Sequence, residues 1–297
     1  MSCILYIRIL PLTIAEAVYR AAQKLSGCGI TNARLDAEVL LAHILERDRA
    51  WLITHNNDSL DNEKYRLFED TIDRRSRREP LQYIIGRQEF WGLEFTVTRD
   101  VLIPRPETEL VVETALKIVK RTRRATIVDL CTGSGCIAVS LAKELGDTRI
   151  FAADTSSQAL AVARENAQRH GVSDRIRFLE GDLYAPLEEL AIRGLVDVIT
   201  ANPPYIRSGD LPMLQPEVRD YEPELALMAG TEGTEVQQKI IESASDLLKK
   251  HGTLIMEMGM GQAEILKRMV DETGTYDKPE ILKDLAGIDR VLVVKKK

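Results

Sequence analysis

The segment Asn202-Pro203-Pro204-Tyr205 combines residue types that can hold a planar NH2 group. Proline fixes the backbone and has no N–H, so the carbonyls of this segment remain available as hydrogen-bond acceptors. The side-chain oxygen of Asn202 and the carbonyl of Pro203 can each accept one hydrogen of an amide or aromatic amine, while the ring of Tyr205 packs on its face. The segment therefore predicts a site that positions a nitrogen for in-line attack on a bound electrophile.

A nitrogen held in this way needs no general base before attack. The two acceptors stabilise the positive charge that develops on it, and its proton can leave afterwards. An Asn-Pro turn followed by a tyrosine in the core is the alternative interpretation. We expect no catalytic histidine, because the four histidines are scattered and none adjoins a motif; they are His43, His55, His170 and His251.

A glycine-containing loop from Val128 to Gly135 follows a predicted strand and opens a predicted helix. Gly133 and Gly135 allow a ligand to approach the backbone closely at the helix N-terminus. Asp154 ends the next predicted strand about twenty residues further on, where it can bind ribose hydroxyls. A dinucleotide loop would carry a third glycine where this chain has Ala138, so the pattern fits NAD poorly.

Alternating strand and helix patterns position both motifs. They are typical of a parallel, doubly wound α/β sheet, which binds ligands beyond the carboxyl ends of its strands. A tail at 279–294 is predicted to add two strands joined at Gly287. The other strands are predicted at residues 126–130, 149–153, 176–179, 196–201 and 253–258.

The N-terminal region has a different pattern. From residue 13 to about residue 78, apolar residues recur at three- and four-residue spacing, which predicts a helical bundle. Alternation between Gln88 and Ile103 predicts a β-hairpin linker. We expect a helical domain at residues 1–86, the hairpin linker at 87–105 and the catalytic domain at 106–297.

Composition limits the classes of function. With 297 residues, 44% of them hydrophobic, the chain is long enough for two domains. A net charge of −6 provides no global positive field for a nucleic-acid backbone. The opening from Cys3 to Leu12 is too short to span a membrane, so we expect no export signal and no anchor. The cysteines form no CxxC pair and predict neither a metal site nor a disulfide framework; they are Cys3, Cys28, Cys131 and Cys136.

Three other groups of side chains have a structural interpretation beside a functional one. Basic residues at 74–78 could meet an acidic partner or RNA, but a charge run at a helix end is more often solvated. Met256, Met258 and Met260 alternate along a predicted strand, which favours packing over a flexible binding surface. An acidic, proline-containing loop after Tyr205 is either a mobile lid or a solvated loop; its acidic residues are Glu217, Asp220, Glu222 and Glu224.

The order of the loop, Asp154, Gly181-Asp182 and the Asn202–Tyr205 segment resembles that of class I methyltransferases that modify exocyclic or amide nitrogens. Further stretches narrow the resemblance to the HemK/PrmC family, the protein-(glutamine-N5) methyltransferases of peptide chain release factors. The resemblance covers nearly the whole chain. The stretches are Glu79–Gly86, Glu89–Gly92, Leu102–Glu109 and Asp284–Arg290.

This resemblance implies a class I, Rossmann-like methyltransferase domain with a mixed seven-stranded sheet. S-adenosyl-L-methionine would be the cofactor and S-adenosyl-L-homocysteine the product. The substrate would be the glutamine of the Gly-Gly-Gln loop of bacterial class 1 release factors, which the N-terminal helical domain would help to dock. Such an enzyme would act in the cytoplasm as a monomer, without direct contact to nucleic acid or membrane.

The resemblance also implies roles for individual residues. Asn202, Pro203, Pro204 and Tyr205 would bind the glutamine amide, with Asn202, Pro203 and Tyr205 as the catalytic group. Pro104 to Glu107 would border the same pocket. The family has a glycine where this chain has Cys131. The difference puts in question how closely the cofactor can approach the backbone, at that residue alone. The implied cofactor-binding residues are Cys131, Thr132, Gly133, Ser134, Gly135, Asp154, Asp182, Leu183 and Asn202.

Other functions remain open on the residues alone. The exocyclic amine of adenine, in DNA or RNA, offers the same two N–H donors to Asn202 and Pro203. The negative charge and the lack of an evident basic recognition domain count against it. A ribosomal-protein glutamine would require the same amide chemistry. A non-catalytic cofactor-binding protein would not need the intact Asn202–Tyr205 set.

Overall fold

Five helices make up the N-terminal unit of the computed structural model, which describes residues 12–119 and 124–297. Thr13 starts the first helix with a capping box to Glu16. Leu25, Leu40 and Phe68 are almost fully buried in the core of this unit. The helices are α1 (Ile14–Gly27), α2 (Ala33–Leu45), α3 (Arg49–Thr54), α4 (Asn62–Ser76) and α5 (Leu81–Ile85).

The N-terminal unit contains two short helices that the apolar periodicity does not predict, α3 and α5, the latter lying beyond the predicted end at about residue 78. Helix α3 has six residues, which are too few to show a repeat, and it begins where the Asp48 carboxylate accepts the N–H of Trp51 at 2.7 Å. The boundary with the C-terminal unit falls between Ile85 and Gly86. The apolar opening at Cys3 to Leu12 lies outside the described residues, apart from Leu12 itself.

The basic residues at the end of α4 form ion pairs within the N-terminal unit. Arg75 is 7% exposed, and its Nε donates to Oδ2 of Asp36 at 2.7 Å. Arg74 donates two hydrogen bonds to the carboxylate of Glu79, at 2.9 and 2.8 Å. The expectation of a solvated charge run is wrong for Arg75, because α4 packs that side chain against α2.

The predicted β-hairpin is present, and it belongs to the C-terminal unit. Strands β1 (Arg87–Phe90) and β2 (Leu93–Thr96) pair antiparallel. Trp91 and Gly92 connect them, both at positive φ, as a two-residue hairpin turn requires. Phe90 and Phe95 pack edge to face, with ring centroids 6.0 Å apart, and both are buried.

Nine further strands and seven helices follow in the described part of the C-terminal unit. The strands are β3 (Thr126–Leu130), β4 (Arg149–Asp154), β5 (Ile176–Glu180), β6 (Val196–Ala201), β7 (Ile206–Arg207), β8 (Met228–Gly230), β9 (Leu248–Glu257), β10 (Glu280–Lys283) and β11 (Asp289–Lys295). The helices are α6 (Glu109–Val119), α7 (Cys136–Glu144), α8 (Ser157–Arg169), α9 (Pro216–Arg219), α10 (Glu224–Leu227), α11 (Glu235–Leu247) and α12 (Ala263–Thr273).

Seven of these strands form one mixed sheet, in the order β10-β11-β9-β6-β3-β4-β5. The five strands from β9 to β5 are parallel, whereas β11 runs antiparallel to both β9 and β10. Strands β7 and β8 pair separately. This mixed sheet, with the helical bundle and the hairpin before it, confirms the predicted fold class.

Alternation along the central strands produces two hydrophobic cores, one on each face of the sheet. Ile127 and Ile150 belong to the core that also contains the hairpin phenylalanines. Val128 and Phe151, their neighbours in sequence, belong to the core on the other face. Both faces are therefore covered, as parallel sheets require.

The methionines after residue 255 do not all pack as predicted. Met256 and Met258 are fully buried, but Met260 is 78% exposed because β9 ends at Glu257 and residue 260 lies in the following turn. Within residues 12–119 and 124–297, no helix is long and apolar enough to cross a membrane.

Candidate active site

A cleft opens at the carboxyl ends of β3, β4, β5 and β6. The chain passes from β5 across the sheet to β6 on the other side of β3, and ligands of doubly wound sheets bind at such a switch point. The cleft encloses about 1130 Å³, including the space open to solvent at its mouth. Eight of the predicted cofactor residues line it: Cys131, Thr132, Gly133, Ser134, Asp154, Asp182, Leu183 and Asn202.

The loop after β3 turns sharply through three residues in the left-handed backbone region. Cys131 has φ +56°, Gly133 has φ +54° and Gly135 has φ +79°. A Cβ on Gly135 would lie 3.0 Å from Cβ of Ala163, so this glycine lets α7 approach α8 rather than lining the cleft. A Cβ on Gly133 would meet no atom within 4 Å, so its backbone faces open space in the cleft.

Cys131 adopts the backbone conformation that favours the glycine usual in the resembled family. Burial is the main cause that raises the pKa of its thiol, followed by the negative charges of Asp154, Asp129 and Asp182. The thiol is therefore protonated and unreactive at neutral pH. The same three carboxylates make the loop region electronegative, which disfavours a pyrophosphate and suits a cationic ligand.

Asp154 fixes the loop from the end of β4. Its Oδ2 accepts the backbone N–H of Gly133 at 2.8 Å, and its Oδ1 accepts that of Ser156 at 3.0 Å. Ser156 in turn caps α8 through the N–H of Ala159. Each carboxylate oxygen retains a lone pair for a further donor, such as a ribose hydroxyl.

Asp129, on β3, lies beneath the loop and is fully buried. Its carboxylate accepts the hydroxyl of Thr132 at 2.6 Å and the hydroxyl of Thr200 at 2.7 Å. Burial raises its pKa to about 6, although the two hydroxyl bonds act in the opposite direction. The sequence interpretation missed this residue, although a carboxylate inside an apolar strand was a visible signal.

The Asn202–Tyr205 segment divides between the cleft and the protein interior. Asn202 and Pro204 line the cleft, whereas Pro203 and Tyr205 are not among its lining residues. The Tyr205 hydroxyl donates to Oε1 of Glu257 at 3.4 Å, and the Tyr205 carbonyl accepts from Nε2 of Gln262 at 3.2 Å. Burial raises the pKa of the Tyr205 hydroxyl.

Residues before α6 border the same cleft. Pro104 and Arg105 line it, as predicted from the family resemblance, while Pro106 and Glu107 do not. Thr108, which was given no role, also lines the cleft. Its hydroxyl oxygen accepts from Nδ2 of Asn202 at 3.2 Å.

The acidic segment after Tyr205 forms a wall of the cleft. Glu222 is 6% exposed; its carboxylate pairs with Arg105 and accepts the N–H of Ile103 at 3.4 Å. Pro223, Leu225, Ala226 and Met228, which follow it, line the cleft. The interpretation as a solvated acidic loop is wrong for Glu222, while Asp220 and Glu224 are exposed.

The four histidines lie away from the lining of this cleft. His55 stacks on Trp51, with ring centroids 4.1 Å apart, and His170 bonds to the carbonyl of Glu94 at 2.8 Å. Within the described ranges, Cys28, Cys131 and Cys136 are free thiols; Cys3 lies outside them. No group of three potential metal ligands occurs among those residues.

Known proteins resemble this chain in sequence and in fold. It matches the PrmC N-terminal domain over residues 16–86 and the methyltransferase small domain over residues 107–214. It is 43% identical to the release factor glutamine methyltransferase of Geobacter sulfurreducens, over 89% of this chain and 90% of that protein. It is 40% identical to the enzyme of the same name from Moorella thermoacetica, over 94% of this chain and 97% of that protein. The solved hMettl16 catalytic domain shares the fold, with a TM-score of 0.56 and 18% identity over 76% of this chain and 81% of that one.

Proposed function

The chain belongs to the family of release factor glutamine methyltransferases, and we propose that it methylates the side-chain N5 of the glutamine in the Gly-Gly-Gln motif of bacterial class 1 release factors. One structural observation supports this proposal independently of the sequence similarity. The acceptor segment at Asn202 and the loop at Cys131–Gly135 open into a single cleft, where a nitrogen and a methyl donor can meet.

The cleft fits S-adenosyl-L-methionine in shape and charge. The open space beside Gly133 admits a ligand close to the loop backbone, and the carboxylates around the loop suit a sulfonium cation. When bound, this cofactor supplies an activated methyl group and leaves S-adenosyl-L-homocysteine as the product. The residues that would hold it are Cys131, Thr132, Gly133, Ser134, Asp154, Asp182, Leu183 and Asn202, while Gly135 would act through the shape of the loop.

The substrate amide would be held by the segment that follows β6. Oδ1 of Asn202 and the carbonyl of Pro203 accept the two hydrogens of the glutamine NH2 group, which directs the nitrogen toward the donor. Pro204 lines the adjoining wall of the cleft, and Tyr205 supports the segment from the interior. The same acceptors stabilise the charge that develops on nitrogen during transfer.

The partner and its setting follow from the same proposal. The protein acts on release factors in the cytoplasm as a monomer, and the N-terminal helical unit contributes to docking them. Direct binding to nucleic acid or membrane is not part of this function. The net charge of −6 is consistent with a protein substrate rather than a polyphosphate backbone.

The proposal is tested with the purified protein and S-adenosylmethionine labelled on its methyl group. The substrates are an unmodified bacterial release factor, the same factor with its Gly-Gly-Gln glutamine replaced, and an adenine-containing duplex. Mass spectrometry locates the methyl group. We expect label on the intact factor alone, and label on the duplex or on the substituted factor would contradict the proposed substrate.

Replacing Asn202 tests its role in the same assay. Asn202→Ala removes one acceptor for the substrate amide, and the rate should fall on the order of 100-fold or more, with a modest loss of cofactor affinity. Near-normal methylation by this variant would show that Asn202 does not hold the amide.

A further inference from the structure

A chain of hydrogen bonds connects Asn202 and Tyr205 behind the cleft wall. Glu257, at the carboxyl end of β9, is fully buried. Its Oε2 accepts the hydroxyl of Thr108 at 2.7 Å, and its Oε1 accepts the hydroxyl of Tyr205 at 3.4 Å. The Thr108 oxygen accepts from Nδ2 of Asn202 at 3.2 Å. One carboxylate thus reaches Tyr205 directly and Asn202 through Thr108.

The ionised carboxylate sets the direction of every bond in this chain. A carboxylate only accepts, so the single hydroxyl hydrogen of Thr108 must point at Glu257. The Thr108 oxygen is then left as an acceptor toward Asn202, whose amide must present Nδ2 to it. The Oδ1 atom of the same Asn202 amide then points away from Thr108, and it can accept a hydrogen bond from a donor in the cleft.

A protonated Glu257 would remove this constraint. Its carboxyl group could donate a hydrogen, the Thr108 hydroxyl could turn toward Asn202, and the Asn202 amide could then present Oδ1 to Thr108. The amide of Asn202 would offer donors instead of an acceptor to a substrate NH2 group. The charged form of Glu257 therefore enforces one orientation of the Asn202 amide, whereas the protonated form permits either orientation.

We infer that Glu257 and Thr108 are positioning residues for methyl transfer, which together hold the Asn202 amide with its oxygen toward the substrate nitrogen. This inference rests on the proposed function, because it assumes that Asn202 binds the substrate amide. It adds two residues, from β9 and from the turn before α6, to the machinery of the site.

The free-energy cost of burying a carboxylate supports a role for Glu257 beyond packing. A charged group inside a central strand is unfavourable unless it is well paired, and an apolar residue there would often be more stable. Burial is the main cause that raises the pKa of Glu257 to about 7, and the negative charge of Glu107 adds to it. The hydroxyls of Thr108 and Tyr205 and the positive charge of Arg290, on β11, oppose this rise. Charge on this group therefore changes within the physiological pH range.

Kinetics on the full chain test the inference with two independent variants. Glu257→Gln keeps the shape but can donate a hydrogen, and Thr108→Val removes the hydroxyl that links Glu257 to Asn202 while the carboxylate itself stays in place. For both variants we expect kcat to fall on the order of 10- to 100-fold, with a loss of affinity for S-adenosyl-L-homocysteine no greater than the modest loss expected for Asn202→Ala. Thr108→Ser, which restores the hydroxyl, should recover most of the rate.

Thr114→Val provides a matched control. The Thr114 hydroxyl donates to the carbonyl of Leu110 within α6, so this variant loses a comparable hydrogen bond away from the chain of bonds at Glu257. Its kcat should stay within about twofold of the wild type, since no group of the cleft is disturbed. Wild-type kcat in both Glu257→Gln and Thr108→Val would overturn the inference.

A measurement that does not depend on turnover separates this inference from the proposed function. In protein labelled with [15N]asparagine, the side-chain NH2 signal of Asn202, assigned with Asn202→Asp, should shift with a midpoint near pH 7. The shift should be absent in Glu257→Gln. A wild-type signal that does not titrate would overturn the inference even if release factor is methylated. Titration without methylation would contradict the proposed function, and with it the role in methyl transfer, while the control of the Asn202 amide by Glu257 would stand.

Discussion

Asn166 and Thr96 exchange two hydrogen bonds, although 70 positions separate them in sequence. The Thr96 N–H donates to Oδ1 of Asn166 at 2.7 Å, and Nδ2 of Asn166 donates to the Thr96 carbonyl at 3.0 Å. The same Nδ2 donates to the Ser134 carbonyl at 2.9 Å. A single buried side chain on α8 therefore joins the hairpin strand β2 to the loop that follows β3.

Asn166→Ala should destabilise the protein strongly. It removes one buried and two part-buried hydrogen bonds and leaves backbone groups of Thr96 without these partners, so the free energy of unfolding should fall by about 2–4 kcal/mol. Urea denaturation measures this change. Asn166→Asp would set a carboxylate oxygen against the carbonyls of Thr96 and Ser134 in a buried site, so at neutral pH it should be at least as destabilising as the alanine variant. A loss under about 1 kcal/mol in Asn166→Ala would show that these bonds are easily replaced by water.

Cys131→Gly should stabilise the fold. Residue 131 has φ +56°, where a side chain is strained and glycine is not, so the free energy of unfolding should rise by about 1 kcal/mol. Cys131→Ala is the matched control, because it removes the thiol and keeps the strain. Equal stabilisation by both substitutions, measured by chemical denaturation, would assign the effect to the thiol instead of the backbone.

Asp129 should make stability depend on pH in an unusual direction for a carboxylate. Its pKa is raised from 3.8 to about 6 by burial, so the folded protein binds the proton more tightly than the unfolded chain. The stability gained on protonation is complete below about pH 4 and is lost as the pH rises through about 6. In Asp129→Asn, the asparagine side chain at this position does not titrate.

The free energy of unfolding of Asp129→Asn, relative to the wild type, should therefore increase by about 2–3 kcal/mol between pH 4 and pH 7. Urea denaturation of both proteins over this range isolates the contribution of residue 129, since the other groups titrate alike in both. A difference that stays constant with pH would contradict the raised pKa.

Glu222 should control cofactor affinity through the wall of the cleft. Glu222→Ala leaves Arg105 without its buried partner and frees the segment that carries Pro223 and Leu225. Calorimetry should show the Kd of S-adenosyl-L-homocysteine rising about tenfold, because the ligand must then order this segment on binding. Asp220→Ala, which removes an exposed carboxylate from the same segment, should leave Kd unchanged, and a similar loss in both variants would contradict the role of the ion pair.

Local patterns were sufficient to predict the sheet and the two motifs at its edge. The central strands are apolar runs bounded by turn residues, and a strand that ends at Leu130 or Ala201 places its following loop at the carboxyl edge. The position of the loop after β3 and of Asn202 in one cleft follows from that rule. The roles assigned to those residues remain predictions.

Pairing between distant residues could not be predicted in the same way. Thr108 and Glu257 are 149 positions apart, and no periodicity relates them. The signal in the sequence was the lone carboxylate of Glu257 within the apolar run from Leu254 to Met258. A buried carboxylate needs a polar partner, but the sequence does not show which residue provides it. The solvated-loop interpretation failed at Glu222 for a related reason. Its acidic neighbours are typical of a solvent-exposed segment, while its partner, Arg105, lies 117 positions away in sequence.

The place of β11 in the sheet affects how the protein forms on the ribosome. This strand is synthesised after the other ten, yet it is inserted between β9 and β10, with Val291 opposite Glu257. Until it emerges from the exit tunnel, β9 is an open edge that can pair with another nascent chain. A message truncated before codon 289 would thus yield a chain that carries both motifs but exposes the strand behind them to aggregation.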